Sequence, residues 1–123
     1  MPKLLHKHKI RRCFDDYQAL LDSPDIDLVY CALPISHHAH WTIKALEAGK
    51  HVLCEKPFAM NAGEAKRMID AAADNDRRVI EAFHYAYHPA FATLLDWLKQ
   101  TAIGTVKTIE AEFCAPIAED AGD

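Results

Sequence analysis

A carboxylate, an amine and a proline follow one another at Glu55-Lys56-Pro57, closing the short apolar run His51-Val52-Leu53-Cys54. An amine at the end of a buried strand can donate to a substrate oxygen and, where desolvated, can exchange a proton near neutral pH. Glu55 points to the other side of an extended pleat, so one of the two charges can face a ligand while the other faces the supporting residues. Pro57 sets its own φ, removes a donor and makes a cis bond after Lys56 accessible, which predicts a sharp, rigid turn. The same three residues also read as a strand ending in two solvated charges, and the triplet alone does not separate these readings.

Other chemistry-bearing residues carry less. His37, His38, His40 and Cys54 are of ligand type, but on a helix His38 and His40 point apart and no carboxylate stands at ligand spacing, so no metal is expected. His6 and His8 would share a face of a strand, yet they lack a third ligand; residues 1–12 read as a flexible basic arm. Cys13, Cys31, Cys54 and Cys114 form no C-x-x-C pair and read as small hydrophobes in a reducing compartment.

Half of the 123 residues are apolar, enough for a core, and the net charge of -4 is spread over interspersed acids and bases, which argues against nucleic acid as a partner. No apolar run approaches the ~18 residues that cross a bilayer, and the amino terminus lacks the apolar segment of a signal peptide. A soluble, cytoplasmic protein without a membrane partner is expected.

The elements that must position the triplet follow from periodicity. Tyr17, Leu20 and Leu21 mark a helix beginning at Asp15, with Asp15 as cap and Gln18 at capping-box spacing. Leu28 to Leu33 is a continuous apolar run, the pattern of a strand covered on both faces, and Pro34 stops it. A second helix is predicted over His38–Ala48, with Gly49 as C-cap glycine. After the strand His51–Cys54, Asn61 and Glu64 open a third helix whose inner face is Ala65, Met68, Ile69 and Ala72. Val79 to Phe83 is the next strand, interrupted by Glu81. Strand, helix, strand, helix, strand with helical-length connections predicts a parallel α/β sheet with helices on both faces. A fourth helix puts Phe91, Leu94, Leu95 and Leu98 on one stripe. Ile109, Ala111 and Phe113 then alternate with Glu110 and Glu112 as in a half-exposed antiparallel strand.

Several ordered segments together resemble one family: Ser23-Pro24-Asp25-Ile26-Asp27-Leu28-Val29-Tyr30, then Ala45-Leu46-Glu47-Ala48-Gly49-Lys50-His51-Val52-Leu53-Cys54-Glu55-Lys56-Pro57, then Glu81-Ala82-Phe83-His84-Tyr85-Ala86-Tyr87-His88-Pro89. They are similar to the Gfo/Idh/MocA oxidoreductases, the group around glucose-fructose oxidoreductase and inositol dehydrogenase. The resemblance implies a partial Rossmann-like domain over 13–88, and a linking helix with the first strand of an α+β substrate and oligomerisation domain over 89–123. It implies hydride transfer between NAD or NADP and a sugar, polyol or related alcohol, in an enzyme that is a homo-oligomer when full length. By the same resemblance Lys56 is the catalytic amine and Glu55 contacts the cofactor ribose or holds the lysine. Leu33, Pro34, Ile35 and His38 correspond to the family's Thr-Pro-Asn-x-x-His turn on the nicotinamide side, and His84 lies on the substrate side, a packing role for it being equally open. Leu33, Ile35 and Ala86 depart from the polar residues frequent at these places.

The family's Gly-x-Gly-x-x-Gly turn, which holds a pyrophosphate on backbone amides, has no counterpart among Gly49, Gly63, Gly104 and Gly122. The chain is therefore expected to be the middle of a longer enzyme and inactive alone, or a non-catalytic remnant that has lost cofactor binding. Such a sheet would expose apolar edge and face.

Overall fold

The computed structural model describes residues 10–112 and 114. They divide at Phe83/His84 into two compact units. In the first, helix α1 (Tyr17–Leu21) precedes strand β1 (Leu28–Cys31), helix α2 (Ile35–Glu47), strand β2 (His51–Cys54), helix α3 (Ala62–Asp74) and strand β3 (Val79–Glu81). The three strands are parallel and lie in the order β1-β2-β3, in register so that Val29, Val52 and Val79 form one row and Cys31, Cys54 and Glu81 the next row on the same face. This is the Rossmann-like α/β arrangement that the alternation of elements predicts.

Helix ends are set by local chemistry. Asn61 caps α3 by accepting from the Glu64 amide at 2.9 Å, and Glu64 reaches back to the Met60 amide at 3.0 Å. At the end of α2, Gly49 adopts φ +75°, its amide donates to Leu46 and the Lys50 amide donates to Ala45, both at 2.9 Å. That pair of bonds closes a Schellman motif, which requires a left-handed residue at this place. The α1 cap is Asp16, not Asp15: its carboxylate accepts from the Ala19 amide at 2.7 Å.

The core is shared by α1, α2, α3 and one face of the sheet: Leu21, Cys31, Ala39, Ala45, Leu46, Val52, Cys54, Met68 and Ala72 are all buried. The opposite face is not covered among the described residues. Leu28 is 58% exposed, Tyr30 54% and Ile80 47%, so the expectation of helices on both faces does not hold here. A continuous apolar run records that both faces of β1 are suited to burial, and says nothing of whether both are covered.

Other boundaries moved. The helix expected from His38 begins at Ile35, because Pro34, with φ -55°, leads straight into the first turn and no linker is needed. The strands expected to reach Leu33 and Phe83 end at Cys31 and Glu81, where the chain leaves the sheet. Ile69, placed on the inner face of α3, is 56% exposed; the helix turns only Met68 and Ala72 fully inward.

The second unit holds a 3-10 turn (His84–Tyr87) and helix α4 (Pro89–Lys99), with Pro89 in the first turn and the His88 ring accepting from the Ala90 amide at 3.2 Å. No residue of α4 is buried. Residues 109–112 form no strand, contrary to the alternation read there: such a pattern becomes a strand only against a partner. Phe113 and residues 1–9 of the arm read over 1–12, His6 and His8 among them, lie outside the described residues. Among the described residues no helix is long and apolar enough to cross a membrane.

Candidate functional site

The strands run parallel, so the segments after β1 and β2 emerge at the same carboxyl end of the sheet. There the Glu55 amide donates to the Cys31 carbonyl at 2.9 Å, which extends the β1–β2 pairing to the foot of the triplet. The Lys56–Pro57 bond is cis, and the chain turns immediately after it. Lys56 and Pro57 are exposed at this rim, with Glu55 half-buried beside them.

Both carboxylates at the rim have supporting contacts. The Tyr30 hydroxyl donates to Glu55 Oε1, and the Lys56 amide donates to Glu55 Oε2 at 3.0 Å, so the carboxylate is held from both oxygens. The Glu55 carboxylate that accepts its proton keeps the Tyr30 phenol above its ordinary range. Beyond the cis bond, the Phe58 amide donates to Glu81 Oε1 at 2.8 Å, tying the turn to the end of β3.

His38 joins the two rim segments from beneath. It is 1% exposed, and its Nδ1 lies 2.9 Å from the Pro57 carbonyl while Nε2 lies 2.7 Å from the Leu33 carbonyl. Carbonyl oxygens only accept, so both contacts are satisfied together when the ring donates from both nitrogens. His38 thus clamps the turn after β1 to the turn after β2. Leu33 is half-buried, Pro34 is exposed and Ile35 is the half-buried first residue of α2. Lys56, Glu55, Leu33, Pro34, Ile35 and His38 are therefore gathered at one end of one sheet. His84 belongs to the other unit, where it is exposed at the start of the 3-10 turn.

Of the four residues weighed for a metal, His37 and His40 are exposed, whereas His38 and Cys54 are buried and are joined by Cys31. Sulfur and ring nitrogen atoms of Cys31, His38 and Cys54 lie within 4.8 Å of one another. Cys31 and Cys54 are register partners with side chains on the same covered face. The Cys31 thiol is lowered to about 6, first by the hydrogen bond from Cys54 and then by the Leu33 amide, the charge of His38 and the Thr42 hydroxyl, against the opposing effect of burial. Cys54 is pushed up, first by Cys31 and then by burial, with the Glu81 carboxylate adding to the shift.

Three members of this site escape the sequence reading: Tyr30, Glu81 and Cys31. Glu81 had a visible signal, a lone carboxylate inside an apolar run. Tyr30 and Cys31 acquire meaning only from the β1–β2 register.

The sequence profile of the Gfo/Idh/MocA family, described as an oxidoreductase family with an NAD-binding Rossmann fold, matches residues 3–83. The chain belongs to this family. It is 39% identical over 102 residues to a dTDP-3,4-didehydro-2,6-dideoxy-α-D-glucose 3-reductase of Streptomyces violaceoruber, an alignment covering 83% of this chain and 30% of that protein. It is also 39% identical over 111 residues to a trans-1,2-dihydrobenzene-1,2-diol dehydrogenase of Danio rerio, covering 90% and 33%. Among solved structures, a 3-ketoreductase from Actinomadura kijaniata in complex with NADP and TDP-benzene superposes with a TM-score of 0.73 at 35% identity, covering 80% of this chain and 31% of that one. The chain thus spans about a third of the length of these relatives.

Proposed function

We propose that the segments after β1 and β2 form the nicotinamide-side rim of an NAD(P)-dependent oxidoreductase acting on the CH–OH group of a sugar, polyol or related alcohol. The observation that carries this reading is the convergence of Lys56, a held Glu55 and the clamped Leu33–Ile35 turn at the carboxyl end of a parallel sheet, where open α/β sheets bind their ligands. The relatives named above, one reducing a keto-sugar and one oxidising a diol, support the same class of substrate.

The nicotinamide supplies or accepts the hydride. In this reading the chain's own residues handle the proton and the geometry. The Lys56 ammonium donates to the substrate oxygen, stabilising negative charge as it develops there and holding the proton exchanged with that oxygen at Nζ. Glu55 contacts the cofactor ribose or holds the lysine, with Tyr30 fixing its rotamer. His38 acts from below by fixing the two backbone turns, and Pro34 and Ile35 line the ring. Residues 13–88 would be the cofactor-side domain, and 89–123 the link and the start of a second domain through which the full-length enzyme assembles in the cytoplasm.

The fit to the dinucleotide is one-sided. Gly49 ends α2, Gly63 lies inside α3 and Gly104 follows α4, so none of them sits in a strand-to-helix turn that would cradle a pyrophosphate. A second reading, a non-catalytic interaction module derived from the same fold, is suggested by the open apolar sheet face of Leu28, Tyr30 and Ile80. Titrating NADH and NADPH against the chain separates the two. Fluorescence enhancement that weakens about tenfold in Lys56→Ala, the loss expected for one charge-assisted hydrogen bond, supports the rim. Silence up to millimolar nucleotide supports the module.

A further inference from the structure

Beneath the rim, around His38, lie two thiols and a hydroxyl that hydride transfer does not use. Cys31, Cys54, His38 and Thr42 come from β1, β2 and α2 and are 4%, 0%, 1% and 0% exposed. The two cysteines face each other across neighbouring parallel strands, where the strand spacing of about 4.8 Å falls within the Cα separation of disulfides, about 4.4–6.8 Å. The Thr42 hydroxyl lies beside both sulfurs without reaching hydrogen-bond geometry to any protein atom. Both nitrogens of His38 lie within hydrogen-bond distance of carbonyl oxygens, of Pro57 and Leu33, which commits the ring to the two turns and leaves the sulfurs without it as a metal co-ligand.

We propose that Cys31 and Cys54 are a peroxide-reactive dithiol that closes to an intramolecular disulfide, with Cys31 as the attacking sulfur and Cys54 as the resolving one. The asymmetry of the site assigns the roles. Cys31 faces the His38 ring, and it lines an apolar cleft of about 130 Å³ between Tyr17, Leu20, Leu33 and Trp41, room for a molecule of peroxide size. Cys54 is fully buried, its Sγ lies 3.8 Å from the Phe58 carbonyl, and it has the Glu81 carboxylate as its other register partner, so its proton stays. The low pKa of Cys31 agrees with this division.

In the first step the Cys31 thiolate attacks one peroxide oxygen. An S–O bond forms, the O–O bond breaks, and the departing hydroxide takes up a proton as water. In the second, the Cys54 sulfur attacks Cys31; the S–S bond forms, the S–O bond breaks, and the thiol proton leaves with the hydroxide as a second water. Two thiols are oxidised by two electrons and one hydrogen peroxide is reduced to two waters. The product would staple β1 to β2 directly under the Leu33–Ile35 and Glu55–Pro57 turns and remove the negative sulfur facing His38.

Treating the intact chain with hydrogen peroxide, followed by alkylation and non-reducing peptide mapping, tests this. Lys44 and Lys50 lie between Cys31 and Cys54, and Asp15 to Asp27 lie between Cys13 and Cys31, so trypsin with a second protease that cuts at Asp separates all three peptides unless they are cross-linked. The expected result is a linked Cys31–Cys54 pair in the native chain, replaced by mixed pairings with Cys13 and Cys114 when the same treatment is done in urea. In Cys54→Ser, a dimedone adduct should accumulate on Cys31. Recovery of both buried thiols unmodified at a dose that consumes Cys13 and Cys114 would overturn the proposal, as would over-oxidation of Cys31 with Cys54 left free.

Discussion

The two faces of the same three strands have different fates. On one, Cys31, Val52 and Cys54 are packed under α2 and α3. On the other, Leu28, Tyr30 and Ile80, equally suited to a core, are exposed, and a hollow of about 740 Å³ is the concavity of this open face between Leu28, Leu53, Arg78 and Ile80. The proposed rim lies elsewhere: Lys56 and the clamped turns are at the strand ends, and the volume here reflects the lack of cover on this face. The covered face supports the rim through His38, Glu81 and the cysteine pair; the open face contributes the Tyr30–Glu55 contact.

The contrast can be broken by substitution. Leu46→Ala, at a fully buried position of α2, should lower unfolding stability by about 3 kcal/mol, whereas Leu28→Ala should change it by less than about 0.5 kcal/mol. Urea melts of the two variants measure the difference; equal losses would mean that the open face is covered in solution. Asn61→Ala, which removes the α3 cap, should cost about 1 kcal/mol by the same measurement, with Asn61→Asp close to the original.

The covered face should also titrate. Between about 6 and the ordinary thiol range, the unfolded chain binds two protons on Cys31 and Cys54 while the folded chain binds one, so stability rises with pH there. Below about 6 both states hold two protons and the contribution is gone. Above the ordinary thiol range, Cys54 retains its proton only in the folded chain, and stability falls again. The urea midpoint of the original chain relative to Cys31→Ala, followed from pH 5 to pH 10, should therefore pass through a maximum; a flat difference would dissolve the pair as an electrostatic unit.

The smallest effect is expected on the open face. Tyr30→Phe should leave the urea midpoint unchanged and instead weaken any nucleotide-induced fluorescence, because it releases one Glu55 oxygen without removing packing. A shifted melt with unchanged fluorescence would make Tyr30 a structural residue.

Much of this was legible in the residues. The apolar runs ending at Pro34 and Pro57, the Asn61–Glu64 spacing and the glycine after Ala48 place strands and helix ends because each depends on neighbours a few positions away. Lys56 and Glu55 were legible for the same reason, as charges closing an apolar run. Where Asp16 displaced Asp15 as cap, or α2 started at Ile35, the competing choices lay within a turn of each other and differed by small local energies. The strand expected at residues 109–112 failed because its stability requires a partner strand that local pattern cannot supply.

The amino-acid order by itself determined the alternation of strand and helix, the parallel sheet and the charged triplet at a strand end, since periodicity and turn chemistry act over a few residues. Only the tertiary structure decided that Cys31 meets Cys54, that Tyr30 reaches Glu55, that Glu81 holds the Phe58 amide and that His38 bridges two turns. Each of these contacts joins positions on different elements, and strand register, which sets them, is fixed by the packing of the whole face against α2 and α3.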